Sequence, residues 1–409
     1  MENKANKKYR YWLHRLPEVG DRTIEKLLTA AGTPERLYTA LPEVLGQVMP
    51  KKEQVDKILR FTAKWDLEEE YEKLEKDGIF FYTAEDAEYQ SRIRSLVHPP
   101  YGIYCLGKMP PADKPSVAII GARECSAYGV YMAEAFGRAM AQAGVPVISG
   151  MARGIDGISQ QAALGAKGKT WAVLGCGVDV CYPACNRKLY DNILDTGGGI
   201  LSVVPPGTEP MKRLFPERNR IVAGLSDLLL VIEARQKSGT WITVDMALEQ
   251  GKSVYAIPGR LTDRLSDGCN MLLRQGAGIA LSPEDLLTEL AVMWNRRGDS
   301  REHPHKKGHT VSGGLLLEED HTVKGELLPE EGSTIKGRVL LREEKITHGI
   351  LKYLDFEPRT ADEILMQIQA EGEEKTMPEV LNELVEACLE GGARQVAGNC
   401  FVRGGNKIF

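Results

Sequence analysis

"SVAIIGAR" (116–123) and "VPVISGMARGID" (145–156) are short runs rich in β-branched residues, each closed by a glycine with an arginine close behind. Apolar runs of this length that stop at a glycine turn read as strands buried on both faces, the kind that parallel sheets use. The pattern returns in "KTWAVLGCGVD" (169–179), "GGILSVVPPG" (198–207), "DLLLVIEA" (227–234) and "SVYAIPG" (253–259). Helical stretches of about a dozen residues lie between most of these runs, and alternating β and α units predict an α/β fold with a doubly wound, mostly parallel sheet.

Working outward, residues 1–80 read as all-helical. "LPEVGDRTIEKLL" (16–28) places a tight turn at Gly20 between two apolar-periodic segments, in the manner of a helix–hairpin–helix or SAM-like domain. Such hairpins can bind phosphate through backbone amides, but Glu18 stands where a second glycine would let a ligand come close. In "TPERLYTAL" (33–41), Thr33 is the expected cap and Pro34 the first helical residue. Lys51 to Lys76 is predicted as one amphipathic helix, with Ile58, Phe61, Trp65, Leu67, Tyr71 and Leu74 along one side. Residues 297–343 lack sustained periodicity and are rich in Gly, His and charge, which predicts a flexible linker. Residues 344–409 give "KITHGILKYL", "TADEILMQIQ", "TMPEVLNELVEACLEGG" and a strand pair in "ARQVAGNCFVR" turning at Gly398, a winged-helix order. Its third helix carries Glu379, Glu383, Glu386 and Glu390 as an acidic stripe opposite Val380, Leu381, Leu384 and Leu389. That charge is wrong for a helix meeting DNA phosphates. The expected division is therefore 1–80, 81–296, a linker over 297–343, and 344–409.

A chain of 409 residues exceeds a single core. Its net charge of −5 argues against wholesale polyanion binding, yet residues 115–280 hold 17 Lys and Arg against 14 Asp and Glu. Any nucleic-acid site is thus expected as a local patch in the middle of the chain. The start "MENKANKKYRYW" has no apolar stretch behind it, and no segment approaches the roughly 18 apolar residues of a membrane span. Eight scattered cysteines suit a reduced, cytoplasmic protein. Cys176, Cys181 and Cys185 lie close together but lack a nearby second pair or histidine, so no metal is expected.

Three loops carry the chemistry. Gly121-Ala122-Arg123 follows the first strand, Gly150 to Asp156 (with Arg153 and Gly154) follows the second, and Gly175 to Asp179 (with Gly177) follows the third. One glycine loop alone is a tight strand-to-helix turn. Two that carry an arginine, joined by "LFPERNR" (214–220), point to bound phosphate. The pattern of a dinucleotide site is missing, because no carboxylate ends the second strand, and there is no P-loop. The histidines are His14, His98 and five from His303 to His348, so none enters the strand-and-loop core and a histidine-based triad is excluded. Asp156, Asp179 and Asp267 are candidates for acid–base work, but helix caps and loop ties explain them as well. The loops look built to hold an anion without cutting it: no enzyme and no cofactor.

These residues resemble the DNA-processing protein A family (DprA, also called Smf). The likeness runs through "VAIIGAR", "ISGMARGIDG", "AVLGCGVDVCYPACNRKLYDNI", "PPGTEPMKRLFPERNRIVAGLS", "VIEARQKSGTWIT", "ALEQGKSVYAIPGR" and "LSDGCNMLLRQGA". It covers roughly residues 80–290 closely and the flanks more loosely. The resemblance implies a Rossmann-like domain that binds single-stranded DNA, pairs into a homodimer, and loads the recombinase RecA in natural transformation. It places phosphate and DNA contacts on Arg123, Arg153, Lys212, Phe215, Arg218, Asn219, Arg220, Ser238, Gly239, Thr240 and Asn270. Guanidiniums and loop amides would hold phosphates while Phe215 stacks on a base. Internal salt bridges to Glu217, Asp227 or Glu233 are the competing account of Arg218 and Arg220. Gln160 and Val203 depart from the family's usual His and Glu; if either usual residue tunes the pocket, binding strength or pH dependence differs here, but neither change removes one of these phosphate contacts. The alternative is a LOG-like nucleotide phosphoribohydrolase using the same pocket. It would need a P-G-G-x-G-T loop with a following Glu, where this chain reads "RQKSGTWIT".

Overall fold

The computed structural model describes residues 4–301, 349–355, 358–396 and 400–403. Among these, the residues up to Trp294 form one compact unit and those from Asn295 onward a second. The first unit opens with helices α1 (Lys4–Arg15), α2 (Asp21–Ala31), α3 (Pro34–Thr39), α4 (Leu41–Val48), α5 (Lys52–Thr62) and α6 (Leu67–Lys76). Then come β1 (Ile79–Thr83), α7 (Ser91–Arg94) and β2 (Gly102–Gly107). The alternating part follows: β3 (Val117–Ile120), α8 (Ala127–Gln142), β4 (Val147–Ser149), α9 (Ile155–Gly165), β5 (Thr170–Leu174), α10 (Arg187–Asp195) and β6 (Gly199–Ser202). It continues through α11 (Leu214–Leu225), β7 (Leu228–Val231), α12 (Thr240–Glu249), β8 (Ser253–Ala256), α13 (Asp267–Arg274), β9 (Gly278–Ile279) and α14 (Pro283–Arg301).

All six expected strands form. They lie in a nine-stranded sheet of order β1-β2-β6-β5-β4-β3-β7-β8-β9. Pairings from β6 through β9 are parallel, whereas β2 runs antiparallel to both β1 and β6. Successive residues of a strand point to opposite faces, and β3 shows it. Val117 and Ile119 join the core under α8 and α14 with Phe136, Met140 and Leu290, while Ala118 and Ile120 join the core under α11 and α12 with Ile221, Val222 and Val244. Both faces are covered, so the strands read as unbroken apolar runs rather than alternating ones. From β3 the chain winds outward to β6 and then returns to β7 on β3's other side. That reversal opens a crevice at the carboxyl ends of β3 and β7, the usual ligand position in a doubly wound sheet.

The helical start differs from expectation in one respect. Lys51–Lys76 is two helices, because the Asp66 carboxylate accepts the N–H groups of Glu68 and Glu69 and so starts α6 afresh. Thr33 caps α3 as expected, accepting from the Arg36 N–H. The turn at Glu18 has φ of 59° and is tied to α5, since the Glu18 carboxylate pairs with Lys57 at 3.0 Å. Tyr11 of α1 packs among Trp65, Phe81 and Tyr104, joining the helices to β1 and β2. The expected boundary at residue 80 falls inside β1.

Of the expected linker, 297–301 continue α14 and 302–343 lie outside the described residues. The second unit holds a 3-10 turn (Gly349–Tyr353), β10 (Arg359–Thr360), α15 (Ala361–Ala370), α16 (Met377–Leu389), β11 (Ala393–Val396) and β12 (Cys400–Arg403) in a sheet of order β10-β12-β11. Gly398 is outside the described residues. Both helices open with capping boxes, Thr360 with Glu363 and Thr376 with Glu379. The acidic stripe on α16 is only partly as expected. Glu379 serves the cap and Glu383 pairs with Lys375 at 2.6 Å, while Leu381 and Leu389 are exposed rather than in the buried face with Val380 and Leu384.

Candidate nucleic-acid interface

Where the chain reverses at β3, the loops after β3, β4 and β7 and the start of α11 enclose an open cavity of about 650 Å³. Its charge is uneven. Arg123, Lys212, Arg218, Arg235 and Lys237 line it against only Glu124 and Asp156. The first turns of α9, α11 and α12 border it through Asp156, Phe215 and Thr240. Each such terminus carries the positive end of a helix dipole. Cations and helix starts therefore converge on one volume, as an anion site requires.

Phe215 organises the two central guanidiniums. The Arg123 and Arg218 carbons lie 5.8 and 5.6 Å from its ring centroid. The two arginines are not equivalent, however. Arg123 is exposed, whereas Arg218 is buried and donates from Nη1 to the carbonyls of Gly150 and Val173, the latter at 2.7 Å, and from Nε to the Asn219 Oδ1 at 3.0 Å. Burial lowers the pKa of Arg218, Asp156 opposes that, and the like charge of Arg123 adds to it. An anion between the two would relieve this repulsion. A Cβ at Gly150 would lie 2.1 Å from the Arg218 Nη1, so a larger residue there would push the guanidinium off its carbonyl partners.

Asp156 is buried and accepts the Gly150 N–H at 3.2 Å; burial pushes its carboxyl up, against the pull of Arg218. Asp179 accepts the Gly207 N–H at 2.8 Å. Both are ties, as their positions at turns allowed. Some loop amides expected to hold phosphate are also spent internally: the Ala122 N–H donates to the Glu233 carbonyl at 2.8 Å.

The expected residues divide. Gly121, Arg123, Gly150, Lys212, Phe215, Arg218, Asn219, Ser238, Gly239 and Thr240 line the main cavity, and Arg153 and Gly175 line an adjoining recess of about 250 Å³ that shares Arg123, Phe215 and Arg218. Four lie outside both linings. Gly154, at φ of 73°, lets loop 150–156 pack on loop 121–123, where a Cβ would meet the Ala122 carbonyl at 2.2 Å. Gly177 supports the Asp179 tie, and its N–H donates to the Thr208 carbonyl at 2.8 Å. Asn270 clamps Gly259, with hydrogen bonds of 3.1 and 3.0 Å to its N–H and carbonyl. Arg220 turns to the other side of α11, where it donates to the His98 carbonyl and pairs with Glu217 at 3.1 Å. Its salt bridge is the competing account made visible.

Neither departure from the family pattern touches the cavity. Gln160 is buried between α9 and β5, donating to the Thr170 hydroxyl and Trp171 carbonyl at 3.0 Å each, and Val203 packs against the core. Three lining residues went unassigned in the sequence. Arg235 and Lys237 sit just before Ser238, and Tyr182, 41% exposed, stands 5.9 Å from the Phe215 ring. Among the described residues no His, Cys, Asp or Glu group is arranged to hold a metal, and no helix is long and apolar enough to cross a membrane.

The family model for DNA recombination-mediator protein A matches residues 80–291, just over half of the chain. The chain belongs to this DprA/Smf family. The DNA processing protein DprA of Streptococcus pneumoniae is 40% identical over 201 residues, covering 49% of this chain and 71% of its own. Protein Smf of Synechocystis is 32% identical over 296 residues, 71% of this chain and 74% of its own. The X-ray structure of DprA from Streptococcus pneumoniae superposes with a TM-score of 0.59 at 31% identity, covering 69% of this chain and 97% of that one. The DprA match spans the sheet that builds the cavity, so the loops holding Arg123 and Arg153 and the helix holding Arg218 lie inside the family region.

Proposed function

We propose that this chain binds single-stranded DNA in the Arg123–Arg218 cavity and acts as a recombination mediator rather than as an enzyme. The observation that carries this reading is the pairing of two guanidiniums over one aromatic ring at a cation-rich crevice. Phosphates take the guanidiniums and Lys212, Arg235 and Lys237, while the half-buried Phe215 ring and the exposed Tyr182 beside it accept an unpaired base. Hydrolysis would require an activated nucleophile or a general base aimed into the cavity. Of the two lining carboxylates, Asp156 is buried and committed to Gly150, and Glu124 is a solvent-exposed side chain on the loop after β3. The Ser238-Gly239-Thr240 turn is bonded within itself, Ser238 Oγ to Thr240 Oγ1 at 2.9 Å, and no Glu follows it as a LOG-like reaction would need.

RecA loading on incoming strands, pairing into a homodimer through the Rossmann-like domain, and a C-terminal winged helix that does not contact DNA belong to the same reading. They rest on the family and on the acidic α16. The test compares oligo-dT with a duplex of equal length at two salt concentrations. Tighter binding of the single strand, with a salt dependence that reports several phosphates, supports the proposal. Equal binding of both, or release of free base from nucleoside monophosphates, refutes it.

A further inference from the structure

At the opposite end of the sheet lies a second basic cleft. It has a volume of about 420 Å³ and is lined by Lys108, Lys114, Lys167 and Lys169, with no Asp or Glu in its lining. Topology brings these four together. Lys114 precedes β3 and Lys169 precedes β5, so both stand at amino ends of parallel strands. Lys108 follows β2, and because β2 runs antiparallel to β6 its end arrives at the same edge. Lys167 closes α9.

The backbone beneath each lysine is held, whereas the ammonium groups are exposed. Trp171 Nε1 donates to the Lys108 carbonyl at 2.7 Å, and Gly199 permits that approach, since a Cβ there would lie 2.1 Å from the same oxygen. Arg92 donates to the Lys114 carbonyl at 2.7 Å. Lys167 has φ of 60°, a left-handed helix exit where Gly or Asn is the ordinary choice.

We propose that this cleft is a second contact for the sugar-phosphate backbone of a single strand whose other part lies in the Arg123 cavity, an inference that rests on the function proposed above. β5, the longest strand between the two sites, has five residues and spans roughly 17 Å at about 3.3 Å per residue. One strand can therefore reach both ends of the sheet by passing over the domain's side. Lysines act as unoriented point charges and suit phosphates without regard to sequence. A protein partner is the poorer fit, because protein interfaces are depleted in Lys and anchored by exposed aromatics, and the one aromatic here, Trp171, is 3% exposed.

The test uses the full chain carrying Lys108→Gln, Lys114→Gln, Lys167→Asn and Lys169→Gln, with Asn chosen to suit the left-handed position. Binding is measured to oligo-dT of about four and about thirty nucleotides; the first, about 14 Å at about 3.4 Å per nucleotide, fits one cavity without reaching the cleft, and the second extends well beyond it. The short strand should bind within about twofold of wild type, and the long strand at least tenfold more weakly. The long-strand salt slope should fall by up to about 3, at about 0.7 per phosphate for four phosphates. Lys→Arg at the same positions should keep wild-type binding. Long-strand affinity and slope that stay at wild-type values would overturn the inference. So would retained DNA binding with lost binding of polyglutamate, which would mark an acidic protein as the partner. If the wild type fails on the short strand, or if Arg123→Ala leaves short-strand binding intact, the cavity reading fails and takes this inference with it.

Discussion

Arg123 and Arg218 share one aromatic ring but should respond to substitution in opposite ways. Arg123 is exposed and, among the described residues, lies against the Phe215 ring without a side-chain hydrogen bond to the protein's own frame, so Arg123→Ala removes a ligand arm and leaves the fold alone. Losing one charge-assisted hydrogen bond costs about 1.5–3 kcal/mol, or about 10- to 150-fold in Kd for oligo-dT. The salt slope should flatten by about 0.7. Thermal stability should hold or rise slightly, because Arg123 is a like-charge neighbour of Arg218. Arg218→Ala instead strips donors from the buried carbonyls of Gly150 and Val173, at about 1–3 kcal/mol for each group left unpaired. That variant should lose stability first and binding as a consequence. Fluorescence anisotropy at two salt concentrations, beside thermal unfolding, separates the two. Wild-type affinity and slope in Arg123→Ala would refute the assignment of the cavity, and so would a large loss of stability in that variant.

Arg220→Ala should leave oligo-dT affinity within about twofold, since its guanidinium faces His98 and Glu217; a tenfold loss, about 1.4 kcal/mol, would return it to the site. Tyr182→Ala should weaken binding by about 1–3 kcal/mol with the salt slope unchanged, as expected for a stacking platform, and a changed slope would contradict that role. His14 provides a pH test. Burial lowers it from 6.5 to about 4, and it meets the Tyr104 hydroxyl at 2.9 Å. The unfolded chain takes up this proton below pH 6.5 and the folded chain only near 4, so stability is full above that window and falls as pH drops through it. The loss reaches at most about 3 kcal/mol, less for the water that reaches a half-buried ring. His14→Gln should shrink the difference in melting temperature between neutral and mildly acid solution, and an unchanged difference would clear His14 of the effect.

Much of this was legible in the residues. The six parallel strands announced themselves because strands covered on both faces must be apolar throughout, and most of them ended in a glycine or proline loop of the kind a crevice needs. β1 and β2 did not. "IFFYT" and "GIYCLG" take their place in the sheet by antiparallel pairing, β1 on β2 and β2 on β6, which no local pattern encodes. The break at Thr62–Asp66 was overridden by an apolar stripe that continues across it, although Asp66 is an ordinary helix cap. In the site, Arg123 and Phe215 stood out because guanidiniums and aromatics near glycine loops have few other uses. Arg220 was misplaced for a helical reason. Within α11, residues 215, 218 and 219 share a side at spacings of three and four, while 218 and 220 diverge by two residues and cannot face one ligand. Asn270, Gly154 and Gly177 belong to family motifs for the sake of loop packing, which looks the same in sequence as ligand contact. Lys237 could have been found, since it adjoins Ser238 at the start of α12.

The most direct test of the central claim is ultraviolet crosslinking of oligo-dT to the full chain, followed by mapping of the modified peptides. Adducts should fall on the peptides that carry Tyr182 and Phe215 and disappear when Arg123 is replaced. Adducts concentrated instead on residues 349–403, or cavity peptides left unmodified while the strand is bound, would show that the DNA lies elsewhere.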